Sequence, residues 1–137
     1  MRGDPLLAYT NKSRPKLQQS IGVAQGVIED GTGGNAKVKG YRVAGKTGTA
    51  EKLMNGKYEK NKNIGSFVGL IPATNPRIIM AIMIDEPTVG SHFGGAVAAP
   101  VFSNVMTGVM KILNIPRDDK LPNAVPQLEK VEPKETI

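Results

Sequence analysis

Residues 40–50, GYRVAGKTGTA, gather the residue types with the clearest chemical use in this chain. Lys46 brings a fixed positive charge, and Thr47 and Thr49 bring short hydroxyls. Gly48 has no side chain to keep a ligand off the backbone. A cation among hydroxyls suits an anion, and two kinds of anion compete. Gly40 to Thr47 fit the phosphate-binding pattern G-x-x-x-x-G-K-[ST] letter for letter. Downstream, IIMAIMIDE at 78–86 is an apolar run ending in acids, which could position Mg²⁺ beside a nucleotide. The same Lys46-Thr47-Gly48-Thr49 could instead hold a carboxylate.

Local context weighs against phosphate. A phosphate loop needs a buried strand before its first glycine, a flexible loop, and a helix opening at the lysine. Here GGNAKVK precedes Gly40, and Tyr41 and Val43 are strand formers. Gly48 follows Lys46 almost at once, and Asn55-Gly56 closes the window within about two helical turns. The alternation of Tyr41 and Val43 with Arg42 and Ala44 predicts a strand over 41–49 that carries Lys46.

Other elements must hold that strand in place. Residues 1–16 read as irregular, punctuated by Gly3, Pro5 and Pro15. From Leu17 a helix is expected, with Leu17, Ile21, Ala24 and Ile28 as its stripe and Gly31 to Gly34 as its stop. The polar stretch 50–63 reads as a solvated loop with a turn at Asn55-Gly56. A second strand is expected over 64–71. The apolar run Ile78–Ile84 predicts a third, covered on both faces. Short connections favour an antiparallel meander. Pro100 opens a last helix with Val101, Val105, Val109 and Ile112 as its stripe, joined by Phe102, Met106 and Leu113. Residues 116–137, rich in proline and charge, read as an extended, disordered tail. The fold class is α+β.

Composition narrows the partners. The net charge is +6, which permits anionic partners. Yet Lys52, Lys57, Lys60 and Lys62 alternate with Glu51 and Glu59, and only Tyr58 is there to stack, which argues against nucleic acid. No cysteine is present, so there is no thiol nucleophile, and a single histidine, His92, excludes a histidine-cluster metal site. The first twenty residues show no apolar signal core, and no run nears ~20 uninterrupted apolar residues.

Three longer stretches decide between the anions. VIEDGTGGNAKVKGYRVAGKTGTA, FVGLIPATNPRIIMAIMIDEP and FGGAVAAPVFSNVMTGVMKIL together resemble the end of the transpeptidase domain of class B penicillin-binding proteins. The likeness is to the division type, the penicillin-binding protein 3 group. It covers about residues 17–115, taken as the C-terminal portion of that domain, and Lys46-Thr47-Gly48 matches the family's K-T-G motif.

The resemblance implies a partial penicillin-binding-protein fold and a D,D-transpeptidase that cross-links peptidoglycan stem peptides and is acylated by β-lactam antibiotics. No cofactor or metal is implied. Lys46, Thr47, Gly48 and Thr49 would bind the substrate carboxylate, Lys46 also having a catalytic role, and the Thr49 N–H would help stabilise the oxyanion. It further implies a periplasmic domain at the bacterial inner membrane, division-complex membrane partners, and a preceding part of the transpeptidase domain that carries the serine. Ser13-Arg14-Pro15-Lys16 fits S-x-x-K but contains proline and lies among polar residues, so Ser13 is not expected to be the nucleophile. No S-x-N motif occurs; Ser103 and Asn104 are adjacent. Residues 1–137 alone are therefore expected to be catalytically dead and marginally stable.

Overall fold

The chain runs α1 (Pro5–Glu29), a 3-10 turn (Gly34–Ala36), β1 (Ala44–Met54), β2 (Lys57–Ile71), β3 (Ile78–Asp85), α2 (Gly94–Val97) and α3 (Ala99–Ile112). The structure is a computed structural model; it describes residues 5–122, and of residues 5–15 the backbone alone. The class is α+β, as expected. Helix α1 starts twelve positions before Leu17 (17 − 5), so the irregular reading of residues 5–16 is corrected, and residues 1–4 lie outside the described part. Pro5 sits in the first turn, where its missing N–H costs nothing. Pro15 is carried inside the helix at the loss of one backbone hydrogen bond.

The sheet is the expected antiparallel meander, in the order β1-β2-β3. Its first strand begins at Ala44; Tyr41 instead forms an isolated bridge to Val38. The loop reading of 50–63 is also corrected. Leu53 pairs with Tyr58 and Met54 with Lys57, so β1 and β2 extend as a long hairpin around Asn55-Gly56. Both turn residues have positive φ, 50° and 78°, the backbone a two-residue hairpin demands. The arms near the turn are exposed, so they carry no apolar alternation for a sequence to reveal.

Register assigns the faces. Gly45, Thr47 and Thr49 share one face with Phe67, Ile71, Met80 and Ile82. Helices α2 and α3 cover that face. Phe67 and Phe102 are fully buried and meet edge to face, with ring centroids 5.1 Å apart and planes at 68°. Lys46 and Gly48 lie on the opposite face, where Ile21 of α1 packs on Ala44 and Ala73.

Two expected apolar surfaces differ from those observed. Strand β3 is covered on one face only: Ile82 is buried, whereas Ile79 and Met83 are each 71% exposed. Helix α3 buries Phe102, Met106 and Met110, with Val109 partly buried against the core, whereas Val101, Val105 and Ile112 of the expected stripe face outward. This helix is apolar nearly all round, so periodicity alone could not choose its inner side. The stretch Gly94–Ile112 is long and apolar enough to cross a membrane, but its three buried large side chains make it the core helix here.

The expected tail is partly pinned. Tyr41 donates its hydroxyl hydrogen to Ile115 O at 2.6 Å, and Arg42 Nη2 donates to Leu121 O at 2.7 Å. Asp118 is buried, and its carboxylate accepts from Arg42 N at 2.7 Å, Thr74 Oγ1 at 2.8 Å and Thr74 N at 3.3 Å. Paired this fully, a buried charge fastens 115–121 to the base of β1. Residues 123–137 lie outside the described part.

Candidate functional site

Lys46, Thr47, Gly48 and Thr49 all fall on β1, an edge strand among the described residues. The ladder fixes which backbone groups turn outward. Glu86 N donates to Asn63 O, so on β2 the odd-numbered residues bond toward β3. The even ones, Ser66 and Val68, then bond toward β1, where they oppose Gly48 and Lys46. That leaves the N–H and C=O of Thr47 and Thr49 on the free edge. Lys46 Nζ donates to Thr47 O at 3.1 Å, so the exposed ammonium is drawn onto that same edge.

The threonine hydroxyls turn to the helix-covered face. Thr47 Oγ1 shares a hydrogen bond with Thr32 Oγ1 at 2.8 Å. Thr49 Oγ1 accepts from Gly94 N at 3.2 Å. The structure thus brings together the lysine ammonium and the outward backbone, and sets the two hydroxyls behind them. Gly48 lies against Ser66 across the strand; a Cβ there would meet Ser66 Oγ at 2.5 Å.

Sequence reasoning did not single out Thr32, Asn35 or Ser66. Thr32 sits in Gly31-Thr32-Gly33-Gly34, read only as a helix stop; a hydroxyl among glycines was the available signal. Asn35 Nδ2 donates to Gly95 O at 2.9 Å, holding the segment before α3 beside the strand. Gly94 is required there, because a Cβ would collide with the carbonyls of Ser66 and Gly48. His92 and Phe93, exposed and with ring centroids 4.3 Å apart at a tilt of 36°, flank the same segment.

The phosphate-loop reading fails on this geometry. Lys46 lies inside an eleven-residue strand, so no helix N-terminus opens at it. Asp85 and Glu86 are engaged by Lys52, whose Nζ lies 3.0 Å from Asp85 Oδ1 and 2.8 Å from Glu86 Oε1. Hydrogen bonds to Glu86 and then to Asp85 raise the Lys52 ammonium above its ordinary 10.5. Among the described residues no group of three or more His, Asp or Glu could hold a metal ion.

The edge strand thus bears an exposed lysine and two threonine hydroxyls, with the segment that opens α2 bonded behind it. The family model for the penicillin binding protein transpeptidase domain matches residues 16–107, and the chain belongs to that family. It is 50% identical over 93 residues to the probable peptidoglycan D,D-transpeptidase PenA of Neisseria flavescens, covering 68% of this chain and 23% of that protein. With the peptidoglycan D,D-transpeptidase FtsI of Escherichia coli it shares 46% over 92 residues, covering 66% and 16%. The transpeptidase domain of Burkholderia pseudomallei penicillin-binding protein 3 superposes with a TM-score of 0.63 at 46% identity, covering 72% of this chain and 30% of that one. The chain therefore spans less than a quarter of the length of these two curated relatives.

Proposed function

We propose that this chain supplies one wall of the active site of a peptidoglycan D,D-transpeptidase, the wall that holds the carboxylate end of a stem peptide. The observation that carries this reading is the free edge of β1, with the Lys46 ammonium drawn onto it beside the outward backbone of Thr47 and Thr49. An extended peptide ending in D-alanyl-D-alanine can lie along such an edge. Lys46 attracts its carboxylate, Thr47 and Thr49 offer hydroxyls, and Gly48 permits close approach. The Thr49 N–H faces the carbonyl under attack, where it stabilises developing negative charge.

The reaction is acyl transfer. A serine adds to the penultimate D-alanine carbonyl and expels the terminal D-alanine; a neighbouring stem-peptide amine then resolves the ester. β-Lactams acylate the same serine. We take that serine to come from a segment other than residues 16–122, where Ser20 Oγ donates to the Lys16 carbonyl and Ser103 Oγ to the Lys37 carbonyl instead of to a base. Ser13 belongs to the part described by backbone alone. The likeness to FtsI extends the proposal to septal wall synthesis on the periplasmic side of the inner membrane, with division-complex partners.

A transplant tests this reading. Residues 16–107 replace the matching segment of Escherichia coli FtsI, and the product is incubated with a fluorescent penicillin. Covalent labelling of the transplant, with none of the isolated chain, is expected. An unlabelled but folded transplant would instead favour a non-catalytic interaction module.

A further inference from the structure

Glu86, directly after β3, has a positive φ of 47°. For a residue with a side chain that backbone is uncommon, and it persists where the surroundings hold it. Three contacts hold it here. Glu86 N donates to Asn63 O at 2.9 Å, and Lys52 Nζ and Lys62 Nζ lie 2.8 Å and 3.9 Å from Glu86 Oε1. Asp85 adds a second carboxylate to Lys52 at 3.0 Å. Glycine would suit the turn better, so it is the carboxylate that asks for an explanation.

What it grips is the outer half of the hairpin. The register breaks between Glu51, which pairs with Asn63, and Lys52, which pairs with Glu59, so Lys60, Asn61 and Lys62 have no partner on β1. Such a bulge bends the strands, and the ladder alone no longer fixes how the arms leave the sheet. Among the described residues, every hydrogen bond or ion pair from 51–62 to a residue outside the hairpin ends on Asp85 or Glu86. Lys52 reaches them across β2, where Ile64 lies between Ala50 and Asp85. One exposed pair would contribute little, but two carboxylates and two lysines form a network.

We propose that Glu86 and Lys52 are positioning residues for acyl transfer: their ion pair sets the exit angle of the hairpin and, through β1, the placement of Thr49, three positions before Lys52 (52 − 49). This rests on the transpeptidase reading of the Lys46 edge. There the Thr49 N–H faces the carbonyl under attack, and a strand end free to swing carries that donor off line. The two side chains act through the strand, not on the substrate.

Acylation of the FtsI transplant by fluorescent penicillin tests this, in the variants Glu86→Gln, Glu86→Gly and Lys52→Met, with Lys46→Ala as reference. Each of the first three should lower the first-order acylation constant at saturating penicillin about tenfold. The double variant, Lys52→Met with Glu86→Gln, should fall no further than either single change, because the pair acts as a unit. Glu86→Gly separates positioning from folding: it suits the positive φ, so its urea midpoint should stay near the parent's while acylation slows. Parent-rate acylation by a folded Glu86→Gly or Glu86→Gln transplant overturns the proposal, as do slowings that add in the double variant. If Lys46→Ala is slow and the Glu86 variants are not, the carboxylate-wall reading stands and this inference alone falls. Parent rates in all of them remove both.

Discussion

The main-chain N–H of Gly94 donates to Thr49 Oγ1 at 3.2 Å, joining the segment that starts α2 to the last residue of the Lys46–Thr49 motif. This contact needs the backbone of residue 94 to lie on the strand, and glycine alone allows it. Gly94→Ala pushes a methyl group into the carbonyls of Ser66 and Gly48, which cannot move without breaking the ladder. A stability loss of about 1–3 kcal/mol is expected from urea unfolding. In the FtsI transplant the same change should slow penicillin acylation. An unchanged midpoint would mean that the segment stands off the strand.

Phe102 anchors α3 to the sheet through its edge-to-face contact with Phe67. Both rings are fully buried, so truncation opens a cavity under the strands that carry the motif. Phe102→Ala should cost about 3–5 kcal/mol in urea or thermal unfolding, whereas Val101→Ala, on the outer side, should cost far less. Equal losses would place the helix on its valine face.

Asp118 makes a different kind of anchor. Its carboxylate satisfies the amide of Arg42 and both donors of Thr74. Asp118→Ala leaves those groups without their acceptor in a buried place and should destabilise the chain by about 2–3 kcal/mol. Equilibrium urea unfolding checks this, and an unchanged midpoint would contradict the anchoring role.

Lys52 gives stability a pH dependence at the alkaline end. Its hydrogen bonds to Glu86 and Asp85 raise it above 10.5, so the folded chain keeps that proton more tightly than the unfolded chain. The contribution is complete below 10.5 and fades as pH rises through the raised value. The site is open to solvent, so salt should weaken the effect. Lys52→Met should flatten the alkaline decline of the urea midpoint; parallel curves for the two proteins would contradict this.

Much of the fold was legible because its signals are local. Asn55-Gly56 announced a turn, though not the long hairpin around it, and the two positive φ angles explain why that pair was needed. The strand carrying Lys46 was found from the alternation before it, though it starts at Ala44 and runs to Met54. What stayed hidden depends on contacts distant in sequence. The hairpin arms expose Leu53 and Tyr58, so burial left no pattern there. Nothing around Asp118 says that its partners are Arg42 and Thr74, more than forty residues away. Likewise Thr32 gains its meaning only when the fold sets it beside Thr47. An apolar run such as Ile78–Ile84 states how much surface wants cover, not which face receives it.

The most direct test of the central claim is the rate of penicillin acylation in the FtsI transplant with and without Lys46→Ala. If the Lys46 edge holds the carboxylate through which substrate and β-lactam are positioned, the substitution should slow acylation by about 100-fold or more while leaving the unfolding midpoint almost unchanged. Acylation at the parent rate in a folded Lys46→Ala transplant would contradict the assignment of this strand as the carboxylate-binding wall.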